Sequence, residues 1–164
     1  MFKLGIIISS DKGFRGERED LCIPTILGCV ENQPFETTYQ TIVPDEIDAL
    51  QSSIKHCVDE LACDLVLISG GTGFSVRDVT PEALAPLLDK QTPGISEAIR
   101  AYSMTLTKKA MLSRAISGIR KNSLIITLPG SPRAVKESLD FIMEPLIHGL
   151  EILIGSASEC ARKD

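Results

Sequence analysis

Residues 64–84 read DLVLISGGTGFSVRDVTPEAL, and this stretch decides the architecture. Its first six residues form a short aliphatic run, the pattern of a strand covered on both faces. The run leads directly into Gly70, Gly71 and Gly73, and then into Thr80-Pro81-Glu82. That triplet predicts a helix start, with Thr80 as the cap, Pro81 in the first turn and Glu82 near the positive end of the helix dipole. A buried strand, a glycine turn and a proline-started helix form the repeating unit of an α/β fold.

The same alternation extends outward in both directions. KLGIIIS (3–9) is a second apolar strand, and FETTYQTIV (35–43) alternates like a strand with one polar face. Residues 17–32 have a weak helical pattern. Between residues 45 and 61, Ile47, Leu50, Ile54, Cys57, Val58 and Leu61 recur every three or four positions, which predicts an amphipathic helix. Residues 94–109 predict another. AISGI (115–119) and SLIITLPGSP (123–132) read as strands joined by a basic turn at Arg120-Lys121-Asn122. Ser131-Pro132 repeats the cap-and-proline signature, and Pro145 should break or kink the helix that follows. The expected fold is α/β, a mostly parallel sheet with helices on both faces, in a single domain spanning 1–164.

Composition narrows the partners. The 164 residues are 43% hydrophobic and 24% charged, with a net charge of −5, so the overall field repels nucleic acid and anionic membranes. With two tyrosines and no tryptophan, the chain offers no aromatic platform for stacked bases. Five cysteines, none in a CxxC pair, predict reduced thiols in a cytoplasmic protein. The apolar stretch near the N-terminus is too short for a signal peptide or a membrane span.

The polar residues fall at the strand ends. Ser9 and Asp11 follow the first strand, Pro44 and Asp45 the second, Gly70 to Asp78 the third, and Pro129-Gly130-Ser131 the last. In an open parallel sheet the carboxyl ends of the strands share one edge, where ligands bind, so four separate segments should meet at one crevice. Glycines at 70, 71 and 73 can take positive φ and expose successive N–H groups to phosphate oxygens. The same glycines would also suit a tight turn with no ligand. Neither a Walker P-loop nor a GxGxxG fingerprint is present. Asp45 and Asp78 each have a plain alternative role as helix-capping residues. Two carboxylates beside an anion nest would nevertheless repel one another and the ligand unless a cation such as Mg²⁺ lay between them. Of Arg77, Arg114, Arg120 and Arg133, the first two are the better placed as phosphate clamps. Ser113 reads equally as a ligand contact or a turn residue. Residues 14–20, FRGERED, form a charge-rich exposed run that follows the Ser-Asp edge and could act as a flap. His56 and His148 have no partner at metal or triad spacing.

SGGTGFSVRDVTPEAL, AMLSRAISGIR and LIITLPGSPRAVKESLDFI together resemble the molybdopterin adenylyltransferase family, of MogA and MoaB type. The resemblance covers nearly the whole chain, with the motifs in matching order. It implies a three-layer α/β/α fold, usually a homotrimer, in molybdenum cofactor synthesis. Family members transfer AMP from ATP to the terminal phosphate of molybdopterin, release pyrophosphate, and pass the product to a molybdate-insertion enzyme. By position, Asp45 and Asp78 match the aspartates linked to catalysis and Mg²⁺. Gly70, Gly71, Thr72 and Gly73 match the substrate loop, and Ser113, Arg114, Pro129, Gly130 and Ser131 match other pocket segments. Ser9 and Asp11 fall in the first-strand motif. Where relatives commonly have D-K-S-G, this chain has Asp20-Leu21-Cys22-Ile23, which implies altered substrate contact or a loop that closes differently. Two other readings stand beside adenylyl transfer: a non-catalytic molybdopterin-binding protein of the MoaB branch, and the insertion step itself, which longer multidomain enzymes normally perform. A tungsten pathway is a further variant.

Overall fold

The computed structural model describes residues 1–155; Cys160 lies outside them. Six strands form one sheet in the order β2-β1-β3-β6-β5-β4. They are β1 (Phe2–Ser9), β2 (Phe35–Val43), β3 (Leu65–Ser69), β4 (Lys90–Gln91), β5 (Ser117–Arg120) and β6 (Ser123–Leu128). Neighbours from β2 through β6 pair parallel, while β5 runs antiparallel to both β6 and β4. The two-residue β4 is too short to leave a sequence signal.

Alternating aliphatic side chains feed two cores, one on each face. Leu4, Ile6, Leu65, Leu67, Leu124 and Ile126 pack beneath α2 (Cys22–Val30), α5 (Pro93–Leu106) and α6 (Pro132–Leu153). Ile7, Val66, Ile68 and Ile125 face the other way, under α3 (Ile47–Lys55) and α4 (Thr80–Leu84). All five residues of β3 are buried, as expected for a central strand. The resulting three layers are the expected fold, and burial of this aliphatic surface is its main stabilising term.

Several local expectations change. A one-turn α1 (Asp11–Phe14), capped by Ser10, replaces irregular chain after β1, and the helical part of 17–32 is confined to α2. The 45–61 helix starts at Ile47 and widens into a π turn at His56–Glu60. The 94–109 helix ends at Leu106, followed by a 3₁₀ turn at Lys108–Leu112. Pro145 does not end α6, which continues through it to Leu153. Thr80 is not a cap: Val79 holds the cap position without a side-chain bond.

The Arg120-Lys121 turn has a structural partner. Arg120 and Lys121 lie 2.8 and 2.7 Å from the two oxygens of Asp59, on the π turn. These bonds hold the Asp59 carboxyl down to about 2. A depressed carboxylate contributes stability that is present above its unfolded value and is lost as pH falls through the folded one. Asp59→Asn should therefore lower stability at pH 7 by about 1 kcal/mol, discounted for solvent screening, and should flatten the loss of stability between about pH 4 and 2. Urea unfolding midpoints across that range measure both effects.

Candidate functional site

The register places the strand ends in one row. Ser9 stands opposite Val43, Ile8 opposite Ser69, and Ser69 opposite Leu128. The segments after β1, β2, β3 and β6 therefore emerge side by side. Because β5 runs backwards, the residues before it, Ser113 and Arg114, reach the same edge from the opposite direction.

The glycine turn sits against the end of β1. Gly70 and Gly71 have φ of +97° and +66°, whereas Gly73 is not among the left-handed residues, which corrects the expectation for that position. A Cβ on Gly70 would collide with the Ser9 carbonyl, and one on Gly71 with the Thr80 hydroxyl. Thr80, fully buried, donates its hydroxyl to the Gly70 carbonyl at 2.8 Å and its N–H to the Gly71 carbonyl at 3.0 Å. The threonine expected to cap α4 instead holds the turn. Ser69 donates to the Pro129 carbonyl at 2.7 Å, joining this turn to the start of α6, where Ser131 caps through the Ala134 amide. The turn's backbone bonds use the Gly70 amide and the Gly71 and Thr72 carbonyls; among the described residues no backbone bond uses the amides of Gly71, Thr72 or Gly73.

Asp45 is held by the other side of the row. Its two oxygens accept from the Ser9 hydroxyl at 2.6 Å and the Asp11 amide at 2.9 Å. It does not cap α3, whose cap position is Glu46. Asp78 accepts from the Ser75 amide at 2.9 Å, which folds the 73–78 loop back on itself.

The two arginines chosen as clamps have protein partners. Arg77 donates two hydrogen bonds, one to each oxygen of Asp11 and each at 2.9 Å, and these hold the Asp11 carboxyl below its usual range. Arg114 donates to the Gly73 carbonyl and the Asp78 carbonyl, both at 2.7 Å, and pairs with Glu82. That hydrogen bond lowers the Glu82 carboxyl. Sequence reasoning missed Glu82 as the partner of Arg114, because the pairing is set by tertiary contact across 32 residues.

A cavity of about 620 Å³ opens at this edge, lined by Ser9, Asp45, Gly70, Gly71, Asp78, Gly130 and Ser131 among others. A neighbouring cavity of about 400 Å³ is lined by Thr72, Gly73, Ser113 and Pro129, and shares Gly71, Asp78 and Gly130 with the first. Eleven of the fourteen expected site residues line these two cavities; Asp11 and Arg114 hydrogen-bond to lining residues, and Arg77 joins them through Asp11. Ser10, beside Ser9 at the end of the first strand, and Cys22, in the segment where the chain departs from its relatives, also line the first cavity; sequence reasoning missed Ser69 there and Arg100, Ser103 and Lys109 in the second. Burial pushes the Cys22 thiol up.

Among the described residues no cluster of three or more His, Cys, Asp or Glu could hold a metal alone. Two carboxylates on one cavity wall match a different case: Mg²⁺ takes hard oxygens, keeps several waters, and uses one or two carboxylates plus substrate phosphates.

A parallel-sheet edge bearing a glycine turn, a helix N-terminus and two carboxylates marks an α/β domain with its candidate ligand site at the carboxyl edge. The family described as "Probable molybdopterin binding domain" matches residues 5–149, and the chain belongs to it. It is 36% identical over 164 residues to the molybdopterin adenylyltransferase of Helicobacter pylori (strain J99), covering 98% of this chain and 93% of that protein. Among solved structures, the molybdopterin biosynthesis enzyme MoaB from Thermus thermophilus superimposes with a TM-score of 0.90 at 41% identity, covering 94% of this chain and 98% of that one. The tungsten cofactor synthesizing protein MoaB from Pyrococcus furiosus gives 0.86 at 35% identity, covering 93% and 97%.

The turn geometry makes a testable contrast. Gly71→Ala should cost about 1–3 kcal/mol, from positive φ and from the clash with Thr80. Gly28→Ala in α2, with no atom within 4 Å of the added methyl, should be neutral or stabilising by up to about 1 kcal/mol. Thermal unfolding of the two variants checks the pair.

Proposed function

We propose that the chain is a molybdopterin adenylyltransferase, moving AMP from ATP onto the terminal phosphate of molybdopterin and releasing pyrophosphate. The observation that carries this reading is the convergence of Asp45, Asp78 and the Gly70–Gly73 turn on one pair of adjoining cavities. The relative from Helicobacter pylori, aligned over nearly its whole length, bears that activity in its name.

In the proposed reaction a phosphate oxygen of the pterin attacks the α-phosphorus of ATP in line, and the bond to the β-phosphate oxygen breaks. Such a transfer requires little covalent chemistry from side chains; positioning and charge neutralisation supply most of the rate. The amides of Gly71, Thr72 and Gly73 are the donors for phosphate oxygens, in a loop made rigid by Thr80 and Arg114. The N-terminus of α6, entering the wall at Gly130 and Ser131, adds a favourable dipole. Asp45 and Asp78 would hold Mg²⁺, which supplies charge neutralisation for the departing pyrophosphate. Ser9 and the Asp11 amide orient Asp45 for that task.

The remaining elements of the proposal follow from the family. ATP is the co-substrate, the product passes to a molybdate-insertion enzyme, and the assembly is a homotrimer, which light scattering of the purified protein tests. Cys22, Cys29, Cys57 and Cys63 are free thiols, in keeping with a cytoplasmic setting. Among the described residues no helix is long and apolar enough to cross a membrane.

The deciding experiment is pyrophosphate release with molybdopterin, ATP and Mg²⁺. Asp78→Asn keeps an oxygen for the Ser75 amide but loses the charge, so turnover should fall at least about 100-fold with the unfolding temperature unchanged. Full turnover by that variant would defeat the assignment, and wild-type protein that binds molybdopterin without releasing pyrophosphate would favour the non-catalytic reading.

A further inference from the structure

The larger cavity has a charge imbalance that the proposed reaction leaves unexplained. Four carboxylates line it, Glu19, Asp20, Asp45 and Asp78, against a single cationic side chain, Arg18. A polyphosphate and a pterin phosphate entering such a cavity meet strong repulsion, and a cation held by Asp45 and Asp78 would leave the charges of Glu19 and Asp20 unanswered.

Three other arginines near this edge are in ion pairs, and Lys109 lines only the neighbouring cavity. Arg77 is bound to Asp11, Arg114 to Glu82, and Arg15 to Glu17 at 2.9 Å. Arg18 has no ion pair among the described residues. It lies in the exposed segment between α1 and α2, within the run FRGERED, and lines the same cavity as the glycine turn. The base of that segment is anchored: Asp20 accepts from the amides of Cys22 at 3.2 Å and Ile23 at 2.8 Å, the first two residues of α2. Arg18 therefore stands two residues from a fixed point, in the cavity lining. Its charge is felt at the buried Cys22 thiol, where it works against the upward push of burial.

We propose that Arg18 is a substrate-binding residue, the guanidinium through which this chain receives a phosphate group in the larger cavity. This rests on the adenylyl-transfer reading and deepens it. Leu21, half exposed on the same wall, presents no charge, so within this segment the cationic contact falls to Arg18 alone. A guanidinium is suited to the role because its planar fork matches two phosphate oxygens at once. The phosphate can belong to the nucleotide or to the pterin; the chemistry is shared, and the test separates the two.

Equilibrium binding of Mg²⁺·α,β-methylene-ATP and of molybdopterin is measured for the wild type, Arg18→Gln and Arg18→Lys, with steady-state KM values for both substrates and unfolding temperatures alongside. Arg18→Gln should weaken one of the two ligands about tenfold, which identifies the phosphate contacted, and should make that affinity less sensitive to salt. Arg18→Lys should recover part of the loss, because it keeps the charge without the fork. An Arg18→Gln protein that folds normally and retains both affinities and both KM values within about twofold overturns the proposal while leaving adenylyl transfer intact. A wild type that neither binds the nucleotide nor transfers AMP overturns the adenylyl-transfer reading, and this proposal with it.

Discussion

The site depends on the contact between two glycines and their neighbours. Gly70 and Gly71 take left-handed conformations directly beneath the Ser9 carbonyl and the Thr80 hydroxyl, where no side chain fits. The close approach fixes β3 against β1, and Thr80 then ties the turn to α4. Ser69 makes the equivalent tie to β6 through the Pro129 carbonyl. Three strand ends are thus locked at one level, and a cavity wall of backbone amides follows from that locking.

Around this turn, charge is arranged by short hydrogen bonds within the protein. Asp45 is oriented by a hydroxyl and an amide, Asp78 by the Ser75 amide, and both are left facing the cavity rather than a protein cation. The arginines nearest in sequence are used as struts: Arg114 spans the Gly73 and Asp78 carbonyls and Glu82, and Arg77 closes on Asp11. A loop with its carbonyls and carboxylates so engaged needs little reorganisation when an anion arrives, the condition under which fixed dipoles stabilise developing charge best. The exposed Arg18 segment is the contrasting element, anchored at Asp20 and otherwise free of ion pairs at its cation.

Strand identity and the converging edge were legible because buried parallel strands are nearly pure aliphatic runs, as in β3, whose five residues are all buried; the edge strand β2 was bounded correctly at Phe35 and Val43 although most of its side chains are exposed or half-buried. The glycine turn was legible for a related reason, since successive glycines mark backbone that approaches other backbone. Capping signals were less reliable. Ser131 caps α6 as its sequence suggests, but the same Thr-Pro pattern at residue 80 does not cap, because the threonine's hydroxyl finds a buried carbonyl ten residues earlier. Pro145 likewise fails to stop a helix that packs along its length through Leu139, Ile142, Leu146 and Leu150. The fate of the arginines was not legible at all. Whether a guanidinium meets a ligand or a protein acid depends on partners such as Asp11 and Glu82, 66 and 32 residues away, and no local pattern encodes that choice.

The account's central claim is that main-chain amides of the turn hold phosphate while Asp45 and Asp78 share a divalent ion. A crystal structure with a non-hydrolysable ATP analogue and Mn²⁺, located by its anomalous scattering, tests this most directly. The account predicts phosphate oxygens within hydrogen-bond reach of the Gly71–Gly73 amides and a metal peak in contact with both carboxylates. Nucleotide bound away from this edge, or a metal peak touching neither aspartate, would contradict it.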